Sequence, residues 1–298
     1  MPIRRVWQHW QRGVLVGLLT VGLMLCASGL GWLVPLERLT FDTLQRATAV
    51  PGSETDRIRL ILIDQASLEW GVRENGLAWP WPREVYAYIV SFCRRAEVAS
   101  LTFDILYTEP SLYGVADDLA FAKALHEGPA LALAAFFGEK SGSSLDWPAG
   151  LEQPFWPDLP EDWSSKLEEP SRGLLPIADL LVNDIALGNT HLQADTDGVY
   201  RRAAPFIRFA SQTVPALGLA GYLSANRDAV GVTDTQVLRL AGRDVPLTAD
   251  NEVILRYRGP AGTFPGYSAA AILQSELLLA QEEKPQVDPS EFMGRHVF

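Results

Sequence analysis

Residues Val14 to Val34 contain no charged side chain; Arg4, Arg5 and Arg12 precede them, and no acid occurs before Glu37. At about 1.5 Å of rise per residue, a helix of this length spans the roughly 30 Å hydrocarbon core of a bilayer. That stretch ties the chain to a membrane before anything else is known of it. The arginines put residues 1–13 in the cytoplasm, residues 14–34 across the membrane and residues 35–298 outside it, the plasma membrane being the expected location. The run is longer than the apolar region of a signal peptide and no Ala-x-Ala site follows, so it reads as an uncleaved anchor. Leu23-Met24-Leu25-Cys26 lacks the small residue a lipoprotein box wants at position 25. Trp7, Trp10 and Trp32 fall where interfacial belts lie. Gly13-x-x-x-Gly17 and Ala27-x-x-x-Gly31 have the spacing of a helix-dimer face, and glycine is also common in membrane helices for other reasons.

Charge narrows the rest. The 298 residues carry 36 acids against 25 Lys and Arg, a net charge of −11. Lysines occur only at 123, 140, 166 and 284, and no basic run follows Arg12, so nucleic acid is not expected as a partner. At 48% hydrophobic and 20% charged, the chain is neither disordered nor polytopic. Cys93 stands alone outside the membrane, so no internal disulfide is expected and the thiol should pack in a helix.

Hydrophobic spacing supplies the elements. Leu36 to Ala47 reads as a helix. Ile58 to Ile63 is a buried strand closed by Asp64, and Val98 to Phe103 a second closed by Asp104. Between them lie the rigid Trp79-Pro80-Trp81-Pro82 turn and a helix from Arg83 to Ala96. This βαβ unit predicts that the two strands are parallel neighbours. Asp117 is expected to cap a helix ending near Leu125, and Ala130 to Phe137 is a third buried strand. Ser141 to Arg172 has no period, is rich in Pro and acids, and carries Trp147, Trp156 and Trp163; it reads as an insertion folded back on the body, either a lid or a plain loop. Beyond it come a short helix at 174–181, a turn at 195–199, a strand at 203–209, a helix at 215–223, a hairpin over 236–247 about Gly242-Arg243, a strand at 253–257, a helix at 269–279, and the start of a strand at 294–298. The expected fold is α/β, a mixed and largely parallel sheet flanked by helices and preceded by one transmembrane helix.

Ligands of open α/β sheets bind beyond the carboxyl ends of the strands. Asp64 and Asp104 both stand there, and Arg83 opens the intervening helix. Two readings are open. The carboxylates share a crevice, with Arg83 pairing with one of them or clamping an anion; or each caps its own βα turn. The Trp-Pro turn is likewise a stacking platform or a packed corner. Asp195, Asp197 and Asn189 do not meet the spacing of a calcium loop, and a solvated turn is the reading taken. No P-loop, G-x-G-x-x-G, G-x-S-x-G, S-x-x-K or H-E-x-x-H occurs, and His9, His126, His191 and His296 are scattered. No catalytic residue, metal site or cofactor is expected.

The ordered motifs bring in a resemblance. Leu62-Ile63-Asp64, Trp79-Pro80-Trp81-Pro82-Arg83, Leu101-Thr102-Phe103-Asp104-Ile105-Leu106-Tyr107 with Glu109-Pro110, and Asp117-Asp118-x-x-Phe121 come first. Gly188-Asn189, Asp195-x-Asp197-Gly198-Val199-x-Arg201 and Tyr257-Arg258-Gly259-Pro260-x-x-Thr263-Phe264-Pro265 come after them. In this order, behind a membrane helix, they resemble the second class of CHASE-type domains, extracellular sensory domains associated with cyclases and histidine kinases. The resemblance implies a bacterial receptor's sensory input region, commonly dimeric, reading an unknown small-molecule or envelope ligand. It also implies that the strand begun at Gly294 continues, and that further spans lead to a cyclase or kinase that this chain does not contain; its C-terminal end is expected to be incomplete. Asp64, Trp81, Arg83, Asp104, Asp197 and Arg201 are its ligand-binding candidates. The rival expectation is a membrane-anchored envelope hydrolase or scaffold that uses the strand-end carboxylates.

Overall fold

The computed structural model describes residues 2–140, 142–152, 163, 165–181, 184–227, 230–234 and 237–298. The chain divides into two units, Met1–Val50 and Pro51–Phe298. The first holds helices α1 (Pro2–Gly29) and α2 (Val34–Thr48), the latter with Pro35 in its opening turn, where a missing N–H costs nothing. Trp10–Gly29 is long and apolar enough to cross a membrane. The helix ends before the charge-free run does, because the chain turns at residues 30–33, with Gly31 at φ 73°. On α2, Leu36, Leu39 and Leu44 are exposed.

The second unit begins with β1 (Ile58–Leu62), α3 (Gln65–Asn75), α4 (Arg83–Arg95), β2 (Ser100–Phe103), α5 (Val115–His126), β3 (Leu131–Gly138), β4 (Arg172–Leu174) and β5 (Ile185–Asn189). It continues through β6 (Arg202–Ala203), β7 (Phe206–Phe209), β8 (Gln212–Pro215), α6 (Leu217–Ala225), β9 (Val230–Asp234), β10 (Val237–Leu240) and β11 (Arg243–Pro246). The last elements are β12 (Val253–Ile254), β13 (Gly266–Ser268), α7 (Ala269–Ala280) and β14 (His296–Val297). The main sheet runs β13-β1-β14-β2-β3-β4, with β5 also on β3, and every pairing is parallel except β3 with β4.

One expectation is overturned here. β1 and β2 are not neighbours, because the C-terminal strand β14 lies between them, pairing Ile58 with His296 on one side and Leu101 with Val297 on the other. The main-chain bonds Phe298 N–H to Arg59 and Ile61 N–H to Phe298 extend the contact by one residue. A βαβ pattern sets direction, but which strand fills the gap is a long-range choice that hydrophobic spacing does not encode. β2 and β3 are parallel neighbours.

The sheet has a thick face and a thin one. Successive strand side chains point to opposite faces, so β3 turns Leu131, Leu133, Ala135 and Phe137 into the main core with α4, α5 and α7. Ala132 turns the other way and meets Ala186 of β5 and Ala220 of α6. There the helix lies almost on the strand: a Cβ at Gly188 would sit 2.5 Å from Leu217 Cα. Helix α4 buries Tyr86, Ile89, Val90, Phe92 and Cys93, as its spacing predicts. Helix α3 escapes the spacing test because its buried positions are Ser67 and Gly71, which carry no apolar stripe.

The later elements differ in detail. The stretch at 174–181 is no α-helix: it holds the last residue of strand β4 and a short 3-10 turn at Ala178–Leu180. Pro205 separates β6 from β7, and neither joins the main sheet. The hairpin turn falls at Ala241-Gly242, both at positive φ, as a two-residue turn requires. The strand foreseen at 253–257 is only β12. Trp163 is fully buried in a second core with Leu167, Phe206, Leu223, Leu238 and Leu247. Trp147 packs against the main core and donates to the Leu151 carbonyl at 2.9 Å. The insertion therefore folds back at both of these tryptophans; Trp156 lies outside the described residues.

The close approach of α6 makes a paired test. Gly188→Ala should destabilise the protein by about 1–3 kcal/mol through overpacking. Gly218→Ala, on the open side of α6 with nothing within 4 Å, should be neutral or stabilise by up to about 1 kcal/mol. Urea unfolding followed by circular dichroism reads both; equal effects would refute the thin-face account.

Candidate functional site

Two hollows open at the carboxyl ends of β1 and β2, and Tyr86 lines both. The first, of 310 Å³, lies under the Trp-Pro corner and is walled by Trp79, Trp81, Arg83, Tyr86, Tyr107 and Tyr113, with the rest of loop 105–113. The second, of 220 Å³, is an apolar groove between Ile61–Ile63 and Leu101–Ile105, with Phe298 and Asp104 on its wall.

Arg83 organises the first hollow. Its backbone N–H donates to Asp117 Oδ2 at 2.7 Å and that of Glu84 to Asp117 Oδ1 at 2.8 Å. Asp117 therefore caps α4, a different helix from the one its sequence position suggests; α5 itself starts at Val115 after Gly114. The Arg83 guanidinium pairs with Asp118 Oδ1 and donates to the Glu109 carbonyl, and its Cζ lies 5.3 Å from the centre of the Tyr107 ring. Ser111 N–H donates to Asp118 Oδ2 at 3.0 Å, and the Ser111 hydroxyl donates to Asp117. The ion pair is buried, with side chains 9% and 2% exposed. An ion pair at that depth holds only if its remaining hydrogen bonds are made, and here loop 105–113 makes them.

Aromatic rings continue from the corner into the core. Trp79 meets Trp81 at 6.2 Å, Trp81 meets Tyr86 at 6.3 Å, and Tyr86 meets Tyr107 at 5.8 Å and Phe121 at 5.9 Å. Trp81 is buried and lies against Gly71 of α3, where an added Cβ would be 2.9 Å from its Nε1. The corner is thus a packed one at Trp81, while Trp79 keeps 53% of its surface exposed. Burial raises the pKa of both the Tyr86 and Tyr107 phenols, the neighbouring Tyr86 adding to the rise at Tyr107, so both stay protonated.

The other candidates lie apart from this cluster. Asp64 caps α3: its Oδ1 accepts from Ser67 N–H at 2.8 Å, Ser67 Oγ at 2.7 Å and Ser268 Oγ at 2.9 Å. The Ser67 hydroxyl, with desolvation opposing and the remaining hydrogen bonds assisting, holds its pKa below the ordinary carboxylate range. Asp104 is exposed on the wall of the second hollow. Arg83 therefore pairs with neither Asp64 nor Asp104, and the three form no single hydrogen-bonded cluster; Asp118, one residue past the expected cap, is the partner. Asp197 and Arg201 do come together, with bonds of 3.0 Å from the two terminal guanidinium nitrogens of Arg201. Arg201 also meets Asp195 at 2.8 Å, and Arg202 meets the same Asp195 at 2.6 Å. This network braces a turn. Among the described residues no group of three or more His, Cys, Asp or Glu is placed to hold a metal ion.

Reading the residues singly missed Asp118, Tyr107 and Ser67. Ser67 stands three residues after Asp64, the spacing at which an N-cap carboxylate meets the helix. The paired Asp117-Asp118 was visible only as part of a motif.

Compared with known proteins, residues 15–298 match the family model of the CHASE2 domain. No curated protein and no solved structure matches the chain.

The geometry supports two tests. Asp118→Ala should cost about 3–5 kcal/mol by stranding a buried guanidinium, whereas Arg83→Met with Asp118→Leu should recover much of the loss. Unfolding curves of the three proteins decide it; a double variant no better than the single would show that the pair is not what holds the corner. Asp64→Ala should cost about 1 kcal/mol at pH 7 through the lost cap. Because the folded pKa of Asp64 is lowered, its contribution is present above the unfolded value of about 4 and disappears as pH falls through the folded one. The gap between variant and parent should narrow as the pH falls below about 4; a gap that stays constant down the acid limb would place the effect elsewhere than in the carboxylate.

Proposed function

Because the chain belongs to the CHASE2 domain family, we propose that it is the extracytoplasmic sensory input region of a membrane receptor whose output is a cytoplasmic cyclase or kinase. CHASE2 domains are sensory domains of signalling receptors and not catalytic ones, and the match over residues 15–298 behind an apolar helix is the observation that carries the reading. In this reading residues 1–13 are cytoplasmic, 14–34 cross the plasma membrane, and 35–298 form the domain outside. Arg4, Arg5 and Arg12 ahead of the span support that orientation.

The receptor acts as a homodimer and responds by shifting between two arrangements of the input region. The Gly13-x-x-x-Gly17 spacing and the exposed Leu36, Leu39 and Leu44 of α2 support self-association. The hollow at the Trp-Pro corner, with Trp81 and Arg83 in its wall, is the ligand site this reading prefers. Asp64, Asp197 and Arg201 serve the frame of the domain in this reading, Asp64 as the cap of α3 and Asp197 with Arg201 as the brace of a turn. The rival hydrolase reading gains nothing from Asp64, whose Oδ1 is taken up by Ser67 and Ser268.

Orientation gives a direct test. Cys93 is buried and its pKa is raised by desolvation, with Glu276 adding to the rise, so it should not react with a maleimide. Exposed Lys284, changed to Cys in a Cys26→Ser background, should label with a membrane-impermeant maleimide in intact spheroplasts. Labelling only after permeabilisation would put the domain in the cytoplasm and end the sensory reading.

A further inference from the structure

The charges around the Trp-Pro hollow are already matched within the protein. Arg83 is held by Asp118 and the Glu109 carbonyl, and Asp117 takes two N–H groups of α4 and the Ser111 hydroxyl. An anion entering the hollow would meet two aspartates and a guanidinium already paired with one of them; a cation would meet carboxylates already paired or capping a helix, and the guanidinium itself. Neither sign of charge finds an unpaired counter-charge to offset the hydration it would lose.

What the hollow does offer is ring surface, with the Tyr107 hydroxyl and the Trp81 indole N–H both unpartnered among the described residues. Trp79 and Tyr113, 53% and 51% exposed, flank it, and the Tyr113 hydroxyl reaches the Pro80 carbonyl at 3.5 Å. Tyr107 lines the wall, is 4% exposed, and its hydroxyl has no hydrogen-bond partner among the described residues. A buried hydroxyl left unpaired destabilises a fold, and one retained in the wall of a hollow calls for an explanation that packing does not supply. A space of 310 Å³ is at the lower end for small-molecule sites and suits a molecule of one or two rings.

We propose that this hollow binds a small uncharged aromatic molecule, its ring packed against Trp79 and Tyr113 and its polar substituent hydrogen-bonded to the Tyr107 hydroxyl. The proposal rests on the sensory reading for what the binding is for, and on the geometry alone for whether binding occurs. An uncharged ring gains stacking on the exposed indole without displacing the Arg83–Asp118 pair. Its hydrogen-bonding group relieves the unpaired phenol, so binding should tighten the loop 105–113 against the corner.

The test uses the full chain in phospholipid nanodiscs, with isothermal titration of four probes: indole, benzamide, benzoate and benzylammonium. Indole and benzamide should bind saturably, and benzoate and benzylammonium at least about tenfold more weakly. Trp79→Ala should abolish the saturable component and so exclude partition into lipid. Tyr107→Phe should raise the melting temperature without probe, since it removes the unpaired hydroxyl, yet weaken benzamide binding about tenfold, the worth of one neutral hydrogen bond. Absence of saturable binding, equal binding of benzoate, or a Tyr107→Phe variant with unchanged affinity would each overturn the proposal. Binding by a domain that the maleimide test places in the cytoplasm would leave the site standing and sink the sensory reading. An outward-facing domain that binds none of the probes would do the reverse.

Discussion

The buried pair of Arg83 and Asp118 is the contact on which the arrangement at the sheet's carboxyl edge depends. It joins the first residue of α4 to the first turn of α5, and through Ser111 and Glu109 it pins the connecting loop. Charges that deep are expensive to desolvate, and here they are supported by the Glu109 carbonyl on the guanidinium and the Ser111 N–H on the carboxylate. The cluster therefore confers geometry more than net stability. With α4, α5 and the loop held together, the rings of Tyr86, Phe103, Tyr107 and Phe121 close on one another at 5.2 to 6.3 Å.

The sheet below is shaped by side-chain size. Leu131, Leu133 and Phe137 look into the core shared by α4, α5 and α7, whereas Ala132, Ala186 and Gly188 let α6 settle onto the opposite face. A helix held that closely leaves no depth for a ligand between it and the sheet, and both hollows open instead at the sheet's carboxyl edge. The short strand β14 is the second determinant. It separates β1 from β2, and Phe298, next to it, lines the apolar groove between those two strands.

Much of this was legible in the residue order. The α/β class, the strands β1, β2 and β3, the buried stripe of α4 and the hairpin near 242 are all consequences of periods of 2 and 3.6 and of turn chemistry. What escaped did so for identifiable reasons. Helix α3 buries serine and glycine, which hydrophobic spacing cannot register. Asp117 stands at the start of α5 but serves α4, because a carboxylate reaches whichever helix end lies nearest in space, and that is not always its own. Arg83 was recognised as a clamp with the wrong partners, since Asp64 and Asp104 are equivalent in the strand pattern but Asp118 is nearer in the fold.

By itself, the residue order determined an N-terminal helix long and apolar enough to cross a membrane, the α/β character of the domain behind it, the family to which the chain belongs, and the identity of the corner residues. Those are properties of composition, period and motif order, and they survive whatever the tertiary packing does. Only the tertiary structure decided that β14 enters between β1 and β2, that Asp118 neutralises Arg83, and that Tyr107 is left with a buried hydroxyl beside an aromatic hollow. Each of these is set by residues distant in sequence meeting at a depth where charges and polar atoms left unmatched carry a cost. Linear spacing carries no record of which distant partner will match them.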